Sequence, residues 1–366
     1  MSEGPIARVP AIDWLKGFAI ICVPCIHAKT YETTFVYMHV IDRAVPIFLV
    51  LLGATSQTFW ELHASARVGE RLRQWYRGRL IRLMPPVWLM ALAWWCAVVV
   101  LDRGRDLEVG WREALLTFLG YSPWAGPTWF ITLVLQLVVC FPAIRWLATR
   151  LGPFISLPIA AALCIWSTRH VWDIVEFGRQ HVSANVYPPG FFYYWIFTPR
   201  VVWNVVAGIY IARYWRSRPG LTATLAASVI WVVGLVLLTH LPVAGEEFFV
   251  GPVRHQAFEN LLDVALTVAL LGLLVPFERW QGHALLRFVG FCGRASWGIY
   301  IGHVLVYELF GLAGAAPQTG PEAVRVAYAA LLLSAGIVLA VAFERIRRVV
   351  LRGAHQWPLT RAALRL

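Results

Sequence analysis

Apolar runs of about 20 residues recur along the chain, and they constrain its fold more than any other feature. A helix needs about 20 predominantly apolar residues to cross a bilayer, and runs near this length occupy most of the 366 residues. The composition agrees, because 59% of the residues are hydrophobic and only 14% are charged, whereas soluble domains carry about 25% charged residues. The sequence therefore predicts a multi-pass membrane protein and excludes a disordered chain.

The predicted fold is an all-α, polytopic transmembrane bundle of about ten spans. Asp13 and Lys16 interrupt the first apolar run, and the fifth run is shorter than the others. The predicted spans are 11–29, 44–62, 84–101, 128–146, 153–168, 191–212, 221–241, 259–277, 295–313 and 322–343. The stretches between them are too short to build a soluble core, so we predict a single membrane domain over residues 1–366.

Charges between the spans predict the orientation of the chain. The predicted loop 63–83 is rich in arginine, whereas 102–127 balances its arginines against acids, and basic residues recur after every second span. Cytoplasmic loops are enriched in lysine and arginine, so we predict that both termini are cytoplasmic. No cleavage site follows the first run, which is therefore expected to be retained. The net charge of +12 is then mostly a topology signal, which argues against a nucleic-acid partner.

Ionisable side chains in the first span make it a candidate functional helix. Asp13, Lys16 and His27 lie in this run, and such groups are expensive in hydrocarbon. Lys16 and His27 are close to three helical turns apart, so they lie on one side of the helix, about 16 Å apart. Pro24 removes a backbone hydrogen bond, which is tolerated beside protein or a wet cavity. His27 is therefore predicted to border a cavity. The alternative is an interfacial histidine that headgroups and water satisfy.

Arginines concentrate just before the third predicted span. Arg79 and Arg82 are spaced i, i+3 and share a helix face, and Arg77 adds to the cluster. Guanidinium groups bind phosphate through paired hydrogen bonds, so this cluster can hold a phosphorylated ligand at the cytoplasmic surface. The alternative is topological, because such arginines also anchor loops on the inner side and contact anionic lipid.

The ninth span carries a polar stripe. Ser296, Tyr300 and His303 follow the spacing i, i+4, i+7 and therefore share one helix face. His303 is predicted to lie near the middle of the membrane, where a second imidazole marks a functional site. Arg43 begins the second span on the same predicted outer side as His27, and an ordinary interfacial arginine is the alternative interpretation.

The sixth and eighth spans carry groups of opposite charge. Arg200 is predicted at mid-depth in the sixth span, and Glu259 and Asp263 are spaced i, i+4 in the eighth. Arg200 and Asp263 can neutralise one another, and a structural buried pair is the interpretation that we favour from the sequence.

Taken in order, these motifs resemble acyltransferase family 3, over essentially the whole chain. The matching segments are Asp13-Trp-Leu-Lys-Gly-Phe-Ala-Ile with His27, Val45-Pro-Ile-Phe with Gly53, Arg79-Leu-Ile-Arg82-Leu-Met-Pro85-Pro86, Thr128-Trp129-Phe, and Ser296-Trp-Gly-Ile-Tyr300-Ile-Gly-His303. The family usually has arginine where this chain has Lys16, and Ser-Gly where it has Leu52-Gly53. The chain looks like the compact single-domain members, which are integral membrane O-acyltransferases that modify sugars.

The resemblance implies transfer of an acyl group, acetyl by default, from cytoplasmic acyl-CoA to a hydroxyl of a sugar or cell-surface glycan at the inner (plasma) membrane. His27 would act as general base or as an acyl-carrying nucleophile. The implied site residues are Lys16, Arg77, Arg79 and Arg82 for the phosphates of acyl-CoA, and Arg43, Trp129, Ser296, Tyr300 and His303 for positioning the acceptor or stabilising the oxyanion. Asp13 is too far from His27 to orient it and is expected to serve Lys16 or the inner surface.

Acetyl-CoA or another short acyl-CoA is the expected donor, and no metal is expected. The expected partners are acyl-CoA, a sugar or glycan acceptor and membrane lipids, and the oligomeric state stays open. Two other classes compete with the enzyme. One is a secondary transporter or exporter of a glycan or small molecule that uses His27 and His303 as proton relays. The other is a non-catalytic membrane partner of a glycan assembly complex.

Overall fold

The described part of the protein is helical, as predicted. The computed structural model describes residues 9–30, 34, 37–101, 115, 118–120, 128–181, 197–215, 221–240, 253–312, 314 and 320–356. Within these ranges no β-strand occurs. The all-α fold class is therefore confirmed for the residues that the structure describes.

Most helices follow the predicted spans closely. They are α1 Pro10–Ala28, α2 Ala44–Leu62, α3 Val68–Leu101, α4 Trp129–Leu151, α5 Pro153–Arg169, α6 Val171–His181, α7 Thr198–Trp215, α8 Leu221–His240, α9 Val253–Leu274, α10 Ala284–Arg294, α11 Ser296–Leu312 and α12 Glu322–Gln356. However, α3 and α12 extend well beyond their predicted spans, and α6 and α10 match no predicted span. A π-helical turn, Tyr37–Ile41, precedes α2, and a 3₁₀ segment, Val275–Trp280, follows α9. Residues 191–196 of the sixth predicted span lie outside the described residues.

Six of the described segments are long and apolar enough to cross a membrane. These are Pro10–Ala28, His39–Leu62, Val68–Ala97, Trp129–Leu151, Glu259–Trp280 and Glu322–Ile346. Two shorter apolar helices, Pro153–Arg169 and Thr222–Leu237, fall below that length. The protein is thus a multi-pass membrane protein, while the count of about ten spans and the cytoplasmic termini stay predictions.

The prediction of a loop over 63–83 was wrong for most of its length. Helix α3 begins at Val68 and runs without interruption to Leu101. Its first turns are rich in arginine and leucine, which have high helix propensity. At 34 residues the helix is about 50 Å long, longer than the roughly 30 Å hydrocarbon core. The arginine-rich segment is therefore a helical extension of the span, and Arg79 and Arg82 lie on a helix as their spacing requires.

The chain folds into two compact units. The first unit comprises Met1–Ala19, Asp42–Ser65 and Pro123–Gly293. The second unit comprises Ile20–Ile41, Ala66–Ser122 and Arg294–Leu366.

In the first unit, glycines bring α2 and α7 into backbone contact. A Cβ atom built on Gly53 would lie 2.3 Å from the carbonyl oxygen of Val205, and one on Gly208 would lie 2.1 Å from that of Val50. Both distances are far below van der Waals contact, so no larger residue fits at either position without moving the helices apart. Small residues at such crossings are typical of helices packed in a membrane.

In the second unit, a similar contact joins α11 to α12. Gly298 and Gly302 are four residues apart on α11, and a Cβ atom at either would lie 2.9 Å from an atom of α12. In return, a Cβ atom on Gly336 of α12 would lie 2.7 Å from the carbonyl oxygen of Ile299. The polar stripe predicted on α11 is therefore carried by a helix whose glycine face is pressed against its neighbour.

Candidate functional site

His27 and His303 meet in the second unit. Their rings are stacked, with centroids 5.3 Å apart and planes inclined by 22°. His27, near the end of α1, is partly buried, whereas His303 on α11 is wholly buried. The two histidines that the sequence singled out in separate spans thus form one pair.

Two tyrosines of α11 enclose the histidine pair. The Tyr300 ring meets His303 edge-on with centroids 5.1 Å apart, and the Tyr307 ring lies 5.2 Å from that of His27. Trp297 stacks on Tyr300, with ring centroids 6.0 Å apart. Ser296, the first residue of α11, is partly buried. Sequence reasoning missed Tyr307, although it continues the stripe of Ser296, Tyr300 and His303 by one more turn.

Several buried polar atoms of this unit make no hydrogen bond to a described residue. They include Oε1 of Glu308 and the hydroxyl of Tyr328. A buried polar group without a partner is unfavourable, above all in a membrane protein, so these atoms indicate a place for water or a ligand. Sequence reasoning also missed Glu308, although a carboxyl group within the predicted span 295–313 is a signal of the same kind as His303.

The end of α1 is held firmly beside this site. Ala28 packs in a buried apolar cluster with Tyr328, Ala329 and Leu332 of α12. The helix stops immediately afterwards, where Lys29 adopts a φ of 55°, a conformation that is uncommon without glycine. Arg325 donates a hydrogen bond of 2.8 Å to the carbonyl oxygen of Lys29. These contacts fix the position of His27, two residues before the turn.

The arginine cluster belongs to the same unit as the histidine pair. The Arg79 guanidinium lies over the Trp75 ring at 4.4 Å, and Arg82 donates from Nη2 to the carbonyl oxygen of Arg294 at 3.4 Å. Arg77 and Arg79 are partly buried, and Arg82 is exposed. Trp297 donates from Nε1 to the carbonyl oxygen of Leu83 at 3.0 Å, which joins α3 to the start of α11.

The other predicted site residues lie in the first unit. Asp13 and Lys16 are in the first half of α1, and Trp129 begins α4 with its ring edge-on to Phe130. Arg43 donates from Nη1 to Glu259 at 3.1 Å and from Nη2 to Asp42 at 2.5 Å.

Asp263 lies in the same part of the first unit. It is buried and interacts electrostatically with both Arg43 and Arg200. The pairing of Arg200 with Asp263 considered from the sequence thus becomes part of a larger cluster. Among the described residues, no three His, Cys, Asp or Glu side chains are grouped so that they could hold a metal ion.

Comparison with known proteins gives one match. The model of a family described as "Acyltransferase domain", acyltransferase family 3, matches residues 9–345 and so covers nearly the whole chain. No curated protein and no solved structure gave a match.

Proposed function

Because the chain belongs to acyltransferase family 3, we propose that this membrane acyltransferase moves a short acyl group, acetyl by default, from cytoplasmic acyl-CoA to a hydroxyl of a sugar or cell-surface glycan. The observation that carries the proposal is the stacked pair of His27 and His303, in the same unit as the arginine cluster of Arg77, Arg79 and Arg82. We place the enzyme in the inner (plasma) membrane, where acyl-CoA is available on one side and surface glycans on the other.

His27 is the proposed catalytic residue. As a general base it would take the proton of the acceptor hydroxyl while the hydroxyl oxygen attacks the thioester carbonyl. The carbon–sulfur bond then breaks, CoA leaves as a thiolate that takes up the proton, and an ester remains on the sugar. As a nucleophile, a ring nitrogen of His27 would first attack the thioester carbonyl, the carbon–sulfur bond would break, and CoA would leave as the thiol with the imidazole proton. The sugar hydroxyl would then attack the acyl-imidazole, the carbon–nitrogen bond would break, and the imidazole would take up the hydroxyl proton. Tyr300 and Tyr307 are the proposed source of hydrogen bonds to the oxyanion or the acceptor.

The arginine cluster is the proposed docking place for the phosphates of CoA. Stacking on Trp75 restricts the Arg79 side chain, and a guanidinium held in this way loses less conformational entropy when it binds. Lys16 is proposed to add positive charge along the path of the donor, and Asp13 to pair with Lys16 or remain at the inner surface.

Comparison of surface glycans from cells with and without the gene tests the proposal. We expect glycans of the wild type to carry sugar residues heavier by one acyl group, and this mass difference to vanish when the gene is deleted and to return on complementation. Mass spectrometry of the isolated glycans measures the difference and identifies the acyl group. Loss of the glycan itself, with its acylation pattern unchanged, would instead support an exporter.

His303 is a proposed positioning residue for His27, and its substitution gives a separate prediction. His303→Phe keeps an aromatic ring in the stack and removes both nitrogens, so we expect kcat to fall about 10- to 100-fold because His27 is misplaced or its proton transfer is slowed. The KM for acyl-CoA should not change. Steady-state kinetics of purified protein measure both constants, and His303→Gln, which retains a polar nitrogen, should recover part of kcat. Equal kcat values for His303→Phe and the wild type would refute this role.

A further inference from the structure

Buried and partly buried polar side chains at the start of α2 and on α7 and α9 form a second cluster, in the first unit. We call Arg43, Arg200, Glu259, Asn260 and Asp263 the polar cluster. Arg43 is hydrogen-bonded to Glu259, which lies 216 residues away along the chain, and Asp263 interacts electrostatically with Arg43, Glu259 and Arg200. On α9, Glu259 and Asp263 are spaced i, i+4 and Asn260 and Asp263 i, i+3, so all three share one helix face.

The polar cluster keeps hydrogen-bonding capacity that the protein does not use. Asp263 is 1% exposed and Asn260 is 9% exposed. Oδ2 of Asp263 and Nε of Arg43 make no hydrogen bond to a described residue, and the amide of Asn260 has beside it only the thiol of Cys164, a weak hydrogen-bond partner. Polar atoms without a hydrogen-bond partner inside a membrane protein are strongly unfavourable. If the cluster served only to neutralise its own charges, we would expect these atoms to be hydrogen-bonded within the protein.

The helices around the polar cluster are closely packed. Helix α2, which follows Arg43, and α7, which carries Arg200, touch backbone to backbone at Gly53 and Gly208. Trp203 of α7 donates from Nε1 to the carbonyl oxygen of Leu261 on α9 at 3.4 Å. A binding site with fixed polar groups needs such support, since small displacements of its side chains lower affinity.

The unused atoms define the chemistry of the missing partner. They include an acceptor on Asp263 and donors on Asn260 and Arg43, and the charges around them nearly balance, with two arginines against Asp42, Glu259 and Asp263. An anion would be repelled by Asp263, and a cation would leave the donors on Asn260 and Arg43 without an acceptor. A hydroxyl group both donates and accepts, so a neutral molecule with several hydroxyl groups can satisfy all three atoms.

We infer that the polar cluster binds a neutral polyhydroxylated ligand, the sugar acceptor, through Asp263, Asn260 and Arg43. The inference rests on the proposed function, because it takes the acceptor to be a sugar. It adds a binding site on the first unit, and it extends to Asp263 and Asn260 the acceptor role that the family resemblance implies for Arg43. Asp263 then binds the acceptor instead of serving only in a structural pair with Arg200.

Acceptor kinetics of three variants test the inference. The substrates are labelled acetyl-CoA and the surface glycan isolated from cells that lack the gene. Asp263→Asn and Asn260→Leu preserve side-chain size and remove one of the unused atoms each. We expect the KM for the glycan to rise about tenfold or more in both, with the KM for acetyl-CoA unchanged. Thr267→Val is the matched control, because Thr267 is also buried on α9 but its hydroxyl is satisfied by the carbonyl oxygen of Asp263 at 2.7 Å.

The outcomes separate this inference from the function on which it rests. An unchanged glycan KM in Asp263→Asn and Asn260→Leu would overturn the inference and leave the acyltransferase proposal intact. A parallel loss of glycan and acetyl-CoA use in both variants, or the same rise in glycan KM in Thr267→Val, would show a structural role and would also overturn it. A wild-type protein that does not acylate the isolated glycan would refute the proposed acceptor and this inference with it.

Discussion

Replacing His27 with alanine should abolish acyl transfer and leave acyl-CoA binding intact. General base catalysis alone contributes at least about 100-fold to a rate, and a nucleophile that carries the acyl group would contribute more. His27 lies at the end of α1 against His303 and Tyr307, in a position fixed by the buried cluster around Ala28. We therefore expect a loss of kcat of at least about 100-fold, measured with labelled acetyl-CoA and purified protein.

A control and a trapping experiment complete the test of His27. The control is His170→Ala. His170 is exposed, and its Nδ1 lies 2.8 Å from Oδ2 of Asp173, three residues further along the chain. We expect this variant to have the kcat of the wild type. Acetyl-CoA supplied without acceptor should label the wild-type protein if His27 acts as nucleophile, and should leave it unlabelled if His27 acts as base. Retained acyl transfer in a folded His27→Ala protein would refute the catalytic role in either mechanism.

Removing both Arg79 and Arg82 should weaken acyl-CoA binding at least about tenfold. Hydrogen bonds to charged groups contribute about 1.5–3 kcal/mol each, although exposure of Arg82 reduces its share through screening. Arg79 is held over Trp75, so it is expected to contribute most. The Kd for acetyl-CoA of Arg79→Gln/Arg82→Gln protein, measured by ligand-induced thermal stabilisation, tests this. Arg79→Lys should recover only part of the affinity, because lysine retains the charge but lacks the planar fork.

The control for the arginine pair lies on the same helix. Arg73 is an exposed residue of α3, and Arg73→Gln lowers the positive charge of the segment without touching the pair. We expect its Kd for acetyl-CoA to change less than twofold, within the modest effect of an exposed charge. If the double variant bound acetyl-CoA as tightly as the wild type, the arginines would be topological anchors, and the docking proposal would fall.

Element type was predictable from the sequence, and element length was not. Apolar runs of span length admit only helices in a bilayer, so most of the spans could be placed to within a few residues. The start of α3 at Val68 was missed because the arginines after it were interpreted as a loop signal. Positive charge reports the side of the membrane, however, and does not report where a helix ends.

The site was predictable where one helix carries it and unpredictable where distant helices meet. Spacing alone placed Ser296, Tyr300 and His303 on one face of α11, and the same rule extended by one turn would have found Tyr307. The stack of His27 on His303 and the bond from Arg43 to Glu259 depend on which helices are neighbours. Hydrophobic patterning does not encode that choice, because lipid-facing and helix-facing surfaces are equally apolar.

The two faces of α11 have a consequence for how the enzyme can vary. At about 100° per residue, Gly298 and Gly302 lie on the side of the helix opposite Tyr300, His303 and Tyr307. The contact of this glycine face with Gly336 of α12 therefore fixes the rotation of α11 about its axis. That rotation sets the direction in which the three aromatic rings on the opposite face point. A bulkier residue at any of these glycines would turn or tilt the helix and re-aim the rings without touching them. Substitutions at residues that contact no substrate can therefore change the substrate preference of the enzyme.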